Sequence, residues 1–142
     1  MNNLIHVLLV SICLLGLSLG SASGQQANNW TEAKSLSAET GKPILINFKF
    51  QACLPCRELY SNVFQDKTLR AEIDSYFHVF FYDIDQEVIK LEDFFSVSSY
   101  PTTAIVDKDG IVIQKFTGFE DSDQYMTTLY HIIDKHLSLI HI

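Results

Sequence analysis

Two cysteines, Cys53 and Cys56, stand three positions apart in the stretch Cys-Leu-Pro-Cys. This spacing can support thiol–disulfide exchange, in which one thiolate attacks a disulfide and a second thiol releases the resulting mixed disulfide. A bond within so short a loop would add little to stability. Half of a zinc site is the other interpretation, but the sequence has no second Cys-x-x-Cys, and its histidines do not cluster with the pair. The spacing therefore favours redox chemistry.

A third cysteine, Cys13, lies in an apolar run over residues 4–19 that small residues follow. This pattern predicts a cleavable signal peptide over residues 1–23, cut after Ala22 or Ser23. The alternative is an uncleaved membrane anchor, for which the run is short. Cleavage would leave Cys53 and Cys56 as the cysteines of a periplasmic or secreted chain.

The composition is that of a globular protein: 142 residues, 47% hydrophobic, 12% aromatic and 19% charged. This length predicts one domain, over residues 25–142. The net charge is −7, and no Lys/Arg cluster occurs, which argues against binding to nucleic acid or to anionic membranes. We expect a monomer without a metal or cofactor.

The elements that must position the two cysteines follow from hydrophobic runs and capping residues. An apolar run after Pro43 predicts a buried strand over residues 43–50, and a helix should begin at Cys53 and reach about Phe64. Before this strand, Asn29 should cap a helix that ends at Gly41. The other predictions are a helix capped by Asp66, a strand over 78–85, a helix over 87–95, strands over 102–106 and 111–116, and a last helix capped by Asp121 or Ser122.

This order of elements predicts an α/β fold with a mixed four-stranded central sheet and helices on both faces. The first two strands are joined through a helix and should be parallel, whereas the last two form a hairpin. Cys53 should be exposed at the N-terminus of its helix, where backbone N–H groups and the helix dipole stabilise a thiolate. Cys56 should be more buried, and Pro55 suits the first turn.

Residues 44–56, Ile-Leu-Ile-Asn-Phe-Lys-Phe-Gln-Ala-Cys-Leu-Pro-Cys, resemble the active-site segment of the thioredoxin superfamily. Residues 97–103 resemble its cis-proline loop, and residues 81–86 resemble the segment that contains its second strand. The similarity covers about residues 30–137. Three features, the opening helix with Trp30, the stretch Gly41-Lys42-Pro43 and the predicted leader, look most like the secreted thioredoxin-like group that includes the C-terminal domain of the disulfide reductase DsbD.

The resemblance implies a thioredoxin fold and a redox-active disulfide, with Cys53 as nucleophile and Cys56 as resolving thiol. It implies that the chain exchanges disulfides with protein substrates outside the cytoplasm. A proline before the second cysteine, with no histidine between the two, favours a reductant, which would need an electron donor such as a membrane reductase. The residues that the resemblance assigns to substrate binding are Leu54, Pro55, Tyr100 and the cis-proline Pro101.

Three positions depart from the thioredoxin pattern. Asn47 stands where thioredoxins usually have an Asp that assists proton transfer, Phe81 replaces a Lys that partners it, and Ala52 replaces a Trp. Since Asn cannot take up a proton, the proton relay is missing or uses water, Lys49 or Glu58. We expect slower exchange at neutral pH than in a thioredoxin, or a dedicated partner.

Two other functions stay open at this point. The fold could be a non-catalytic module that binds a partner polypeptide along the cis-proline face, with the cysteines in an inert disulfide. The two thiolates could also deliver a metal ion.

Overall fold

A computed structural model describes residues 26–137. The predicted signal peptide over residues 1–23, with Cys13, lies outside the described residues, and the domain limits at 25 and 142 stay predictions. The elements in chain order are α1 (Trp30–Thr40), β1 (Ile44–Lys49), α2 (Leu54–Leu59), α3 (Lys67–Tyr76), β2 (His78–Asp83), α4 (Leu91–Phe94), β3 (Thr102–Val106), β4 (Val112–Thr117) and α5 (Ser122–Ile132). Helix α2 continues into a π-helical turn over Tyr60–Phe64, and α5 continues into one over Ile133–Leu137.

The four strands form one mixed sheet in the order β2-β1-β3-β4. Strand β1 is parallel to β2 and antiparallel to β3, and β3 is antiparallel to β4. Because β1 lies inside the sheet, Ile44, Leu45 and Ile46 are all buried, which explains their continuous apolar run. The predicted fold class, a mixed four-stranded sheet of the thioredoxin type, is confirmed.

Helices cover both faces of the sheet, and each face has its own core. Side chains of α2, α3 and α5 pack on the face that carries Leu45, Val79 and Ile105. Side chains of α1 and α4 pack on the face that carries Ile46 and Phe80. Within residues 26–137, no helix has the length and apolar character needed to cross a lipid bilayer.

The boundaries of α1 follow from its caps. The Asn29 side chain accepts a hydrogen bond of 2.9 Å from the backbone N–H of Glu32, and Gly41 ends the helix with a φ of 76°. The Glu32 carboxylate in turn accepts from the backbone N–H of Asn28 at 2.8 Å. The predicted caps Asp66 and Asp121 also accept from the first turns of their helices.

The predicted helix over residues 87–95 is wrong in extent, since only the turn Leu91–Phe94 is helical. The Tyr82 hydroxyl explains the difference. It lies within hydrogen-bond distance of the Ile89 carbonyl oxygen and the Glu92 carboxylate, and it accepts from the Leu91 N–H at 3.2 Å. These bonds replace the helical pattern, and Val88, expected on the apolar face, is 92% exposed.

Candidate active site

Cys53 and Cys56 are joined by a disulfide at the point where β1 leads into α2. Cys53 is the N-cap of α2, and its sulfur accepts a hydrogen bond of 3.1 Å from the backbone N–H of Cys56. Pro55 fits the first turn because the N–H that proline lacks has no helical partner there. The same N–H group and the helix N-terminus would stabilise a Cys53 thiolate in the reduced protein.

The expectation that Cys53 is exposed is wrong for the disulfide form. Cys53 and Cys56 are each 3% exposed. The Cys53 sulfur turns toward Cys56 and its N–H group, and away from solvent. The pair nevertheless lies directly beneath the surface, because Ala52, Leu54 and Pro55 around it are all exposed.

The loop that contains Pro101 lies beside the end of β1. Phe48, near that end, pairs with Thr102, and the Tyr100 ring packs edge-on against the Phe50 ring with their centroids 5.4 Å apart. The Tyr100–Pro101 peptide bond is cis, and Pro101 is buried whereas Tyr100 is half-buried. Leu54 is 56% exposed, so the four residues assigned to substrate binding differ widely in exposure.

The positions that depart from the thioredoxin pattern form a neutral cluster. Asn47 is buried and lies opposite Phe81 on the neighbouring strand. The Asn47 side-chain amide donates a hydrogen bond of 3.4 Å to the Thr103 hydroxyl, which also shares a hydrogen bond of 3.0 Å with the Tyr125 hydroxyl. Burial raises the pKa of Tyr125, partly offset by the Thr103 bond, so this cluster carries no charge at neutral pH.

An ion pair that the sequence analysis did not identify lies close to the cysteines. Lys49 Nζ is 2.5 Å from Asp83 Oδ2, and both residues line a cavity of about 620 Å³ that Cys56 also lines. Asp83 is buried, with 7% of its surface exposed, whereas Glu58 on α2 is exposed. The strand register, in which Lys49 lies opposite Asp83, is the signal that could have revealed the pair.

A family profile described as a thioredoxin-like domain matches residues 30–133. The thioredoxin-like protein YneN of Bacillus subtilis is 30% identical in an alignment that covers 66% of this chain and 71% of that protein. A thioredoxin from Thermus thermophilus aligns with a TM-score of 0.66 and 18% identity, over 77% of this chain and 87% of its own. The C-terminal domain of Neisseria meningitidis DsbD, in its oxidised form, aligns with a TM-score of 0.61 and 17% identity. The alignment covers 71% of this chain and 90% of the DsbD domain. At these identities the two structures show a shared fold.

Proposed function

The chain belongs to the thioredoxin-like family, and from that premise we propose that it is an extracytoplasmic thiol–disulfide oxidoreductase that reduces protein disulfides. One observation carries the proposal. Cys53 caps α2 in a disulfide with Cys56, and its sulfur accepts the Cys56 N–H. An inert structural disulfide has no need of a helix N-terminus aimed at one sulfur, whereas an attacking thiolate does.

The reaction exchanges one disulfide for another. The Cys53 thiolate attacks one sulfur of a client disulfide, and the other client sulfur leaves as a thiolate. The Cys56 thiol then loses its proton and attacks the Cys53 sulfur, which releases the second client sulfur. Two electrons pass from the dithiol to the client, and Cys53 and Cys56 finish in the disulfide present in this structure.

We propose that clients bind beside this disulfide at Leu54, Pro55, Tyr100 and Pro101. Tyr100 is tied to the segment before Cys53 through its ring contact with Phe50. Tyr100 is uncharged at neutral pH, as any tyrosine is with its ordinary pKa of about 10. Burial raises the pKa of its hydroxyl, and the carboxylates of Glu92 and Asp93 raise it further. A neutral contact residue imposes no charge requirement on the client segment that binds there.

The direction and the location belong to the same proposal. Pro55 precedes the second cysteine and no histidine lies between the two, which favours a reductant. The predicted signal peptide over residues 1–23 would export the chain to the periplasm or beyond. The dithiol would then need a membrane reductase as electron donor, because cytosolic glutathione does not reach that compartment.

The test is the reduction potential of the Cys53–Cys56 pair, together with insulin reduction by the wild type and by Cys53→Ser. We expect a potential near the value of about −270 mV of thioredoxin, and no activity in Cys53→Ser. A potential near the value of about −120 mV of DsbA would reverse the direction. A pair that exchanges with neither glutathione nor insulin would support the non-catalytic module instead. Cys56→Ser should trap clients as mixed disulfides on Cys53.

A further inference from the structure

The resolving step requires that the Cys56 thiol lose its proton, and neither Asn47 nor Phe81 can accept it. We propose that the carboxylate of Asp83, held in place by Lys49, accepts this proton through water in the cavity that Cys56 lines. The proposal deepens the exchange reaction proposed above and rests on it.

The register of the sheet places this pair on the correct face. Side chains alternate along a strand, so Asn47 and Lys49 project to one face of β1, and Phe81 and Asp83 project to the same face of β2. Phe81 packs against the core beneath α2, the helix that carries Cys56. The Lys49–Asp83 pair therefore lies two residues after the Asn47–Phe81 pair on the same face, toward the end of β1 that leads to Cys53.

The cavity that Asp83 and Cys56 both line offers room for water. Its volume of about 620 Å³ is many times the roughly 30 Å³ that a water molecule takes up in the liquid. Gln65 and Gln86 line it with polar side chains, which water needs as partners. Asp83 lines this cavity with the small part of its surface that water can reach, since the residue is 7% exposed.

The proton transfer would keep the charge of the cavity unchanged. Before the transfer, the Lys49 ammonium is paired with the Asp83 carboxylate at 2.5 Å. After the transfer, Asp83 is neutral and the negative charge lies on the Cys56 sulfur, while Lys49 still supplies the positive charge. A proton acceptor that preserves an opposite-charge pair avoids the cost of a second buried charge.

Other charged and titratable groups also face the cavity or Asp83. Arg57 of α2 and Tyr60 of the following turn line the cavity, and the positive charge of Arg57 also favours a thiolate there. The Asp85 carboxylate accepts a hydrogen bond of 2.8 Å from the Gln51 N–H. Asp83 Oδ1 accepts from the Asp85 N–H at 3.1 Å, while Oδ2 contacts Lys49 Nζ at 2.5 Å and accepts from the Gln86 side-chain amide at 3.4 Å.

The atoms and electrons of the step balance. Cys53 starts in a mixed disulfide with the client, and Cys56 is a thiol. The proton of Cys56 passes through water to the Asp83 carboxylate, and the Cys56 thiolate attacks the Cys53 sulfur. The bond between Cys53 and the client breaks, and the client sulfur leaves with the electron pair and takes a proton from solvent. Asp83 then returns its proton to solvent.

The experiment uses the reduced protein and the aromatic disulfide dithiobis(nitrobenzoate), whose two halves absorb light when released. Attack by Cys53 releases the first half, and resolution by Cys56 releases the second, so stopped-flow absorbance separates the two steps. We expect Asp83→Asn to leave the first phase unchanged and to slow the second by about 10²-fold at neutral pH, the lower end of the range for general acid–base catalysis. The deficit should shrink as the pH rises and the thiol ionises directly to water.

Three further variants make the result specific. Asp83→Glu should restore most of the second phase, and Lys49→Met should slow it in the same pH-dependent way. Asp74→Asn removes the carboxylate of another ion pair of similar exposure, 2.9 Å from Arg70, and should change neither phase. Lys49 is partly exposed, so its variant tests the proposal even where Asp83→Asn does not fold.

The outcomes separate this proposal from the redox function. A second phase that is the same in the wild type, Asp83→Asn and Lys49→Met at every pH overturns the assignment of Asp83 and leaves the exchange reaction standing. Equal slowing of both phases also overturns it, because it indicates a distorted fold. A wild-type protein that releases neither half overturns the exchange reaction, and the role of Asp83 with it.

Discussion

Asn47 and Phe81 lie directly opposite each other on the parallel strands β1 and β2, and neither side chain can ionise. The next pair on the same face, Lys49 and Asp83, forms an ion pair. Thus the face of the sheet beneath α2 has a neutral pair in its interior and a charged pair at its end. The neutral pair packs without an unpaired charge, which a buried carboxylate at residue 47 would introduce.

Asn47→Asp should alter both the reaction and the stability. A carboxylate at this position gives Cys56 a second proton acceptor, so we expect faster resolution at neutral pH and a rate–pH profile shifted to lower pH. Burial beside Phe81 should raise the pKa of the new carboxyl above its unfolded value. The native state then loses free energy of unfolding as the pH rises through that raised pKa, by about 1–3 kcal/mol.

Urea unfolding and the two-phase absorbance assay measure these effects at about pH 5 and about pH 8, both above the ordinary carboxyl pKa of about 4, where a raised pKa would lie. Asn62→Asp is the control. Asn62 is exposed, so the introduced carboxyl group should ionise in contact with water and without a cost in stability. An unchanged rate–pH profile in Asn47→Asp would count against the idea that the neutral pair limits proton transfer.

Tyr125 should contribute to the loss of stability at alkaline pH. Burial raises the pKa of its hydroxyl above the ordinary value of about 10, and the Thr103 hydrogen bond lowers it only in part. Because the folded-state pKa is the higher one, the contribution is fully present below about pH 10 and is lost as the pH rises further.

Tyr125→Phe should therefore cost about 1 kcal/mol at neutral pH, through loss of the hydrogen bond to Thr103. Above about pH 10, the variant should lose less stability than the wild type. Unfolding in urea across this pH range measures both effects, with Tyr76→Phe, at a partly exposed tyrosine, as control. An equal alkaline loss in wild type and Tyr125→Phe would exclude Tyr125 as the group responsible.

The parts of the fold that the sequence predicted are those fixed by local chemistry. Asn29 and Gly41 bound α1 because an amide side chain and a left-handed glycine each act on their own helix end. The apolar run from Ile44 to Ile46 predicted β1 because a strand buried on both faces needs no alternation. The position of Cys53 and Cys56 at the start of α2 could be predicted because the two cysteines directly follow that strand in the sequence.

The parts that sequence reasoning missed depend on contacts between distant segments. The shortened α4 results from the Tyr82 hydroxyl, which competes for backbone groups of a segment that has an acceptable helical pattern. The ion pair between Asp83 and Lys49 depends on the register of β1 and β2, since a shift by one residue would turn the Asp83 side chain to the other face of the sheet. The burial of Cys53 depends on the direction of a single side chain.

Val88 and Leu91 provide a direct test of the shortened helix. Val88 is 92% exposed and Leu91 is 4% exposed, although a helix over residues 87–95 would place both on its apolar side. Val88→Ser should change the free energy of unfolding by less than about 0.5 kcal/mol. Leu91→Ala should cost about 2–5 kcal/mol, as for other buried leucines. Similar losses in both variants, measured by urea unfolding, would indicate that residues 87–90 pack as a continuous helix.

Gly110 and Trp30 connect the β3–β4 turn to α1, and a glycine substitution tests that contact. Gly110 has a φ of 84°, and a Cβ atom there would lie 3.4 Å from Trp30 Cζ2. Gly41 has a similar φ of 76°, but its added Cβ would meet nothing within 4 Å. Alanine at either position should cost about 1–3 kcal/mol, because a side chain is strained in this region.

Only Gly110→Ala, however, should change the emission of Trp30, since the new methyl group touches the indole ring and the chain has a single tryptophan. Fluorescence spectra of the native variants, recorded beside their urea unfolding curves, measure the two effects separately. An altered spectrum in Gly41→Ala, or an unaltered one in Gly110→Ala, would contradict the packing of the turn on α1. Equal stability losses with a spectral change confined to Gly110→Ala would show that backbone strain sets the cost at both glycines, while the indole contact is specific to one.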